Sequence, residues 1–454
     1  MKKSNVNMLE GSIFKGLLSL TIPIMIMNTM QVLFNAVDMA VLKIFSDDNA
    51  VGAVGACGTL ISLCTGLLIG IATGANIVVA RRLGEKNKEK ADKAVMTSLL
   101  MAIFGGLLLA VIGVIFAKTF LNMTHCPERL IEQAVVYFKI YFYGVPILLL
   151  YNFLASILRA TGDTKRPMYF LILGGIIKVL FTVFFAMFFD MDVEGVAYAT
   201  TISNAVACVL AFFALLKIKD VVSINFKQIK FDISELKSIL YVGIPAGLQS
   251  SLYSFANVVI VTAVNGLGAD ATTGMSIANQ FDGILYQIAF ASSLAVAPYV
   301  SQNVGAGNIQ RVKKTVVSGI LITTAFGIIF GSLSAIFSRQ LSSIMSSTPA
   351  IIAYSQQKMI IVSSTYFICG INDVIGGALR GLGKPIAPTI ATLVYMCALR
   401  FVWVYLVFPL CPNLTFLYAV WPIGWTLSIV TLLVVYFKRI AVLKKENQLA
   451  PSLA

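Results

Sequence analysis

Along the chain, long apolar stretches alternate with short polar ones, and the apolar stretches are too long and too uniform for strands. A membrane-crossing helix needs about 20 mostly apolar residues. Twelve such runs occur, at approximately 17–41, 52–79, 94–117, 134–158, 167–189, 194–216, 238–264, 272–300, 315–338, 354–379, 386–409 and 414–437. Barrel strands would show about ten residues of alternating polarity, and these runs do not alternate. The pattern predicts an all-α integral membrane protein with twelve transmembrane helices. The first run passes Asn28 and Asn35 without a small-residue cleavage site, so it reads as a retained helix and not a signal peptide.

The pattern also repeats. Arg159-Ala-Thr-Gly162-Asp-Thr-Lys-Arg-Pro167 matches Arg380-Gly-Leu-Gly383-Lys-Pro-Ile-Ala-Pro388 at a spacing of 221. Gly84, Asn87, Lys93 and Val95 match Gly305, Asn308, Lys314 and Val316 at the same spacing, and Ile22, Pro23 and Asn35 match Ile244, Pro245 and Asn257 at 222. The repeat divides the chain into an N-terminal half, 1–219, and a C-terminal half, 238–454, joined by a basic linker at 220–237. Six spans per half is an even number, so the two pseudo-symmetric lobes form a parallel repeat.

Composition sharpens this picture. Of 454 residues, 58% are hydrophobic and 12% charged, against about a quarter charged in soluble domains. Mean hydropathy is +0.88. The net charge of +14 is distributed by side of the membrane. With a cytoplasmic N-terminus, inner segments hold 26 of the 34 Lys and Arg, among them Arg81 to Lys93, Lys217 to Lys237 and Lys438 to Lys445. The outer segments hold Lys43, Lys118, Arg129, Lys139, Arg339 and Lys358. This asymmetry predicts both termini in the cytoplasm of a multi-pass protein of the plasma (inner) membrane, and no nucleic-acid partner. The seven cysteines form no metal or disulfide pattern. A pairing of the outer-loop Cys126 and Cys411 stays open, and the lone histidine, His125, reads as a solvated loop residue. The chain lacks the histidines, metal spacings and nucleotide-binding loop of a membrane enzyme or an ATP-driven pump. It is expected to be no enzyme, to need no cofactor and to work as a monomer among membrane lipids.

Ionisable side chains deep in a span cost about 2.5–3.5 kcal/mol on insertion scales. Five qualify here: Asp38, Lys178, Asp282, Asp373 and Arg400. Three acids against two bases leave one spare negative charge, which suits a cavity that takes up a cation or proton. Asp38 is expected to pair with Lys178, and Arg400 with Asp282 or Asp373. Rise arithmetic sets Asp38 above Lys178 unless the first helix begins in an interfacial stretch such as Ser12 to Leu20. Gln31, Asn35 and Asp38 share one helix face, and Asn279, Gln280 and Gln287 accompany Asp282. Gln31, Asn35, Gln280, Asp282, Asp373 and Arg400 are thus candidates for binding a small-molecule substrate.

The whole chain resembles the prokaryotic branch of the multidrug and toxin extrusion (MATE) family. The resemblance rests on Pro23, Asn35 and Asp38, on Arg82-Leu-Gly84, on Gln302-Asn-Val-Gly-Ala-Gly-Asn308, on the Arg159 and Arg380 segments and on Gly195-Val-Ala-Tyr-Ala-Thr200. It implies a V-shaped pair of six-helix lobes around a central cavity. It further implies secondary active export, by antiport and alternating access, of small organic cations or amphiphiles against inward H+ or Na+ flow. A lipid-linked oligosaccharide flippase of the same fold is the alternative. The resemblance makes Asp38 a coupling residue, with Lys178, Thr182 and Thr200 at the positions that surround it in the family. Lys178 and Thr182 depart from the Asn and Asp found there in related members, which argues against an intact sodium site and suggests that Lys178 occupies the place of the bound cation.

Overall fold

The computed structural model describes residues 6–46, 48–124, 126–218, 221–223, 231–411 and 413–449; His125 and the linker positions 220 and 224–230 lie outside them. Those residues are helical, without strands. The first nine spans are α1 (Ile13–Phe45), α2 (Asp48–Gly84), α3 (Lys88–Met123), α4 (Glu128–Ala160), α5 (Lys165–Phe189), α6 (Val193–Leu216), α7 (Ile233–Asn265), α8 (Ala269–Gly305) and α9 (Ile309–Ile336). A short helix, α10 (Ser338–Met345), precedes a span made of two pieces, α11 (Pro349–Ser363) and α12 (Tyr366–Gly381), bent by 45° at the break. The eleventh span runs from α13 (Ile386–Ala391) through π-helical turns at Thr392–Ala398 and Trp403–Val407 on either side of α14 (Leu399–Val402). Then come α15 (Leu414–Tyr418) and α16 (Val420–Leu449). Among the described residues, eleven helices are long and apolar enough to cross a membrane, and the bent pair makes twelve.

The repeat has a local chemical cause. Asn87 and Asn308 are N-caps of α3 and α9, and each accepts a 3.0 Å hydrogen bond from a backbone N–H three residues on, that of Lys90 and of Arg311. Such a cap satisfies a donor that the helix itself leaves unpaired. Gly162 and Gly383, just past α4 and α12, have φ of +85° and +77°, a backbone region in which a side chain is strained.

By contacts the chain forms two compact units. Unit 1 gathers Val6 with Thr29–Gly247, and unit 2 gathers Asn7–Asn28 with the chain from Leu248 onward. Contact and repeat are different quantities: α1 and α7 each contribute to both units, whereas the repeat is a property of the sequence. In unit 1, α2 and α7 cross at small residues, where a Cβ on Gly70 would lie 2.3 Å from the Gly247 Cα. Asp92 accepts hydrogen bonds from Ser223 N and Oγ, and Arg82 Nε lies 3.0 Å from Glu235 Oε1, which fixes both ends of the linker to this unit. In unit 2, Arg311 donates to the carbonyls of Met8, Glu10 and Gly11. Large apolar side chains such as Ile115, Phe188 and Leu406 face outward, as lipid contact requires.

Candidate functional site

In unit 1 the polar centre is an ion pair across α1 and α5. Lys178 Nζ lies 2.5 Å from Asp38 Oδ2, and both side chains are buried. The helix α1 begins at Ile13, inside the interfacial stretch named for it, and Asp38 and Lys178 meet directly. Asp38 Oδ1 is buried with no hydrogen-bond donor. The two neighbouring threonines leave it so. Thr182 Oγ1 donates to the Lys178 carbonyl at 2.9 Å and Thr200 Oγ1 to that of Val196 at 2.8 Å. Neither hydroxyl ligates the carboxylate. Gln31 and Asn35 share the helix but are exposed, unlike Asp38.

Unit 2 holds a second buried pair that sequence reasoning missed. Lys358 Nζ lies 2.8 Å from Asp282 Oδ2 and also donates to Asn279 Oδ1. Ser363 Oγ, at the end of α11, donates to Asp282 Oδ1 at 3.3 Å. Lys358 is 1% exposed, so its assignment to an outer segment is corrected. The signal was present, since position 358 falls within the tenth apolar run. The correction also removes the spare negative charge, because the interior of the spans now balances three acids against three bases. Gln280 is exposed beside this pair.

Arg400 pairs with neither acid proposed for it. Its Nη1 donates to Asn257 Oδ1 at 2.6 Å, and its guanidinium carbon lies 5.0 Å from the Trp421 ring centre. Lys358 Nζ approaches the same ring at 5.6 Å. Asp282 is taken by Lys358. Asp373 has Asn372 Nδ2 3.4 Å from Oδ1, and its Oδ2 is buried without a donor. The cause is positional: Arg400 projects onto α7 and α16, whose contributions no helical spacing within α14 reveals. The thiols of Cys126 and Cys411 are free.

The arrangement resolves into one pair with an open carboxylate oxygen in unit 1, and one satisfied pair plus an unpaired base and an unpaired acid in unit 2. No group of three or more His, Cys, Asp or Glu among the described residues is placed to hold a metal ion.

Comparison with known proteins fits this plan. The MatE family model matches residues 23–184 and again 245–406, two matches that begin and end 222 residues apart. The probable multidrug resistance protein YoeA of Bacillus subtilis (strain 168) is 28% identical over 391 residues, covering 85% of this chain and 84% of that protein. The probable multidrug resistance protein YpnP of the same organism is 26% identical over 393 residues, covering 86% and 88%. A multidrug resistance MATE family transporter of the MOP superfamily, solved in an outward-facing conformation, superposes with a TM-score of 0.90 at 20% identity, covering 98% of this chain and all of that one.

Proposed function

The chain belongs to the MatE family of multidrug efflux transporters, and from that premise we propose that it exports small organic, cationic or amphiphilic compounds by antiport against inward proton flow. The observation that carries this reading is the buried Asp38–Lys178 pair with its unpartnered Oδ1. Sodium is poorly served at this centre. A fixed ammonium stands within 2.5 Å of the single carboxylate, and the nearby Thr hydroxyls point their protons at helix carbonyls. Cations such as sodium and calcium need several oxygen ligands.

A proton needs only one lone pair. When it lands on Asp38, Lys178 loses its counter-charge in a buried setting, and an unpaired buried charge costs several kcal/mol. Unit 1 then relaxes toward a state in which Lys178 reaches water. A cationic substrate displaces the same ammonium from the same carboxylate, so proton and substrate compete for Asp38. That competition is what antiport requires. Gln31 and Asn35 are the further substrate candidates of unit 1 in this reading, and Gln280, Asp282, Asp373 and Arg400 are those of unit 2. The protein spans the plasma membrane as a monomer with both termini cytoplasmic, its halves 1–219 and 238–454 alternating access around the linker.

The test is uptake of ethidium into inverted vesicles bearing the full-length protein. A pH gradient is expected to drive uptake and a sodium gradient alone to leave it at background. Uptake driven by sodium alone would overturn proton coupling, and no ethidium uptake under either gradient would overturn cation export.

A further inference from the structure

Lys178 and Arg400 stand 222 residues apart, the offset of both ends of the two family matches. Asn35 and Asn257 share that offset, as do Asp38 and Ile260. In unit 1 the base therefore has an acid to pair with, whereas in unit 2 the acid's position is held by a buried isoleucine. Arg400 is left with the asparagine and the face of Trp421. Its Nη2 is buried and has no hydrogen-bond partner, on a side chain only 1% exposed. A buried guanidinium without a counter-charge is among the most expensive arrangements a protein keeps. Asp282 is already paired with Lys358, and Asp373 makes no ion pair with Arg400, so neither acid supplies the counter-charge.

The backbone around Arg400 is irregular at the same place. The π-helical turns at Thr392–Ala398 and Trp403–Val407 flank Arg400. A π turn absorbs one residue by widening the helix, and such turns concentrate at functional sites. The matching span in unit 1, α5, is uninterrupted α-helix. The widened backbone flanks the same residue that lacks a counter-charge.

We propose that Arg400 is an anion-recognition residue in unit 2, where it binds the carboxylate or phosphate of an aromatic organic anion whose ring system packs beside Trp421. This rests on the export reading and deepens it, because it gives the substrate an anionic group as well as an apolar body. Guanidinium suits either oxyanion through parallel N–H donors, and Lys358, over the same Trp421 ring, adds positive potential nearby.

Binding is tested on the full-length protein in detergent by fluorescence anisotropy of carboxyfluorescein, and transport in inverted vesicles by its uptake relative to ethidium. Losing one member of a desolvated charge pair raises the off-rate, so Arg400→Gln should weaken carboxyfluorescein binding at least about tenfold. It should lower the uptake ratio in the same direction. Arg400→Lys, which keeps the charge, should retain most of the binding, and Ile260→Asp, which supplies an internal acid, should weaken it. Equal affinity in the wild type and in all three variants, or no binding by the wild type, would overturn the proposal. If the vesicles take up neither dye, the export reading fails, while the anisotropy series still decides the anion site.

Discussion

Lys358 lies 2.8 Å from Asp282, and the same carboxylate accepts a hydrogen bond from Ser363, the last residue of α11. The pair therefore joins α8 to the bent span directly at its break. Removing one partner strands a buried charge, which typically costs about 3–5 kcal/mol, whereas an apolar replacement of both is close to neutral. Lys358→Ala is expected to lower thermal stability in detergent sharply, and the double variant Lys358→Met with Asp282→Leu to recover most of it. Additive losses in the double variant would show that the pair does not act as a unit.

The Asp38–Lys178 pair predicts a different outcome, in function. Lys178→Ala leaves Asp38 charged and open to external cations, so pH-driven ethidium export should fall by at least about tenfold, the equivalent of 1.4 kcal/mol. Sodium should begin to affect what activity remains. Asp38→Asn removes the proton acceptor itself and should abolish pH-driven export. Wild-type export with an unchanged pH profile in Lys178→Ala would remove the pair from the coupling path.

Much of the fold was legible because membrane-spanning segments and caps are local properties. Twelve apolar runs, two asparagine caps and two left-handed glycines all follow from residues within a few positions of one another. Legibility stopped where partners come from other helices. Averaging over an apolar window hid Lys358, since one charge among twenty apolar residues barely moves the mean, and only packing on α8 gives it Asp282. The bend between α11 and α12 has no proline to announce it, only Ser363, Ser364 and Thr365. Asp38 and Lys178 could be paired in advance because two unlike charges in one half left few alternatives. Arg400 had two acids in reach by spacing alone, and the structure gives it neither.

The matching caps give a prediction on stability alone. Asn87→Ala and Asn308→Ala each remove the acceptor for one helix-start N–H, at a cost of about 1 kcal/mol. They lie more than 200 residues apart in sequence, in different units, so their effects should add. Unfolding of the detergent-solubilised protein by increasing denaturant measures both. A double variant much worse than the sum would mean that the two caps serve a common element.

The α2–α7 crossing in unit 1 depends on the missing side chains of Gly70, Gly74, Gly243 and Gly247. A Cβ at Gly70 would meet backbone atoms of Gly247 at 2.3 Å, and one at Gly74 would meet the Ile239 carbonyl oxygen at 2.4 Å. These are backbone atoms, which cannot swing aside as a flexible side chain does. Gly70→Ala must therefore push two helices apart, and overpacking of this kind costs about 1–3 kcal/mol. Gly55 supplies the control within the same helix, because a Cβ there would have nothing within 4 Å. Gly55→Ala should be neutral or stabilising by about 0.5–1 kcal/mol, since alanine restricts the unfolded chain more than glycine does. Small residues let membrane helices approach closely where no hydrophobic force drives them together, so the contrast between the two sites isolates backbone proximity from helix propensity. Melting curves of Gly70→Ala and Gly55→Ala in the same detergent would decide it, and equal melting temperatures would mean that the crossing tolerates a methyl group and is not set by the glycines.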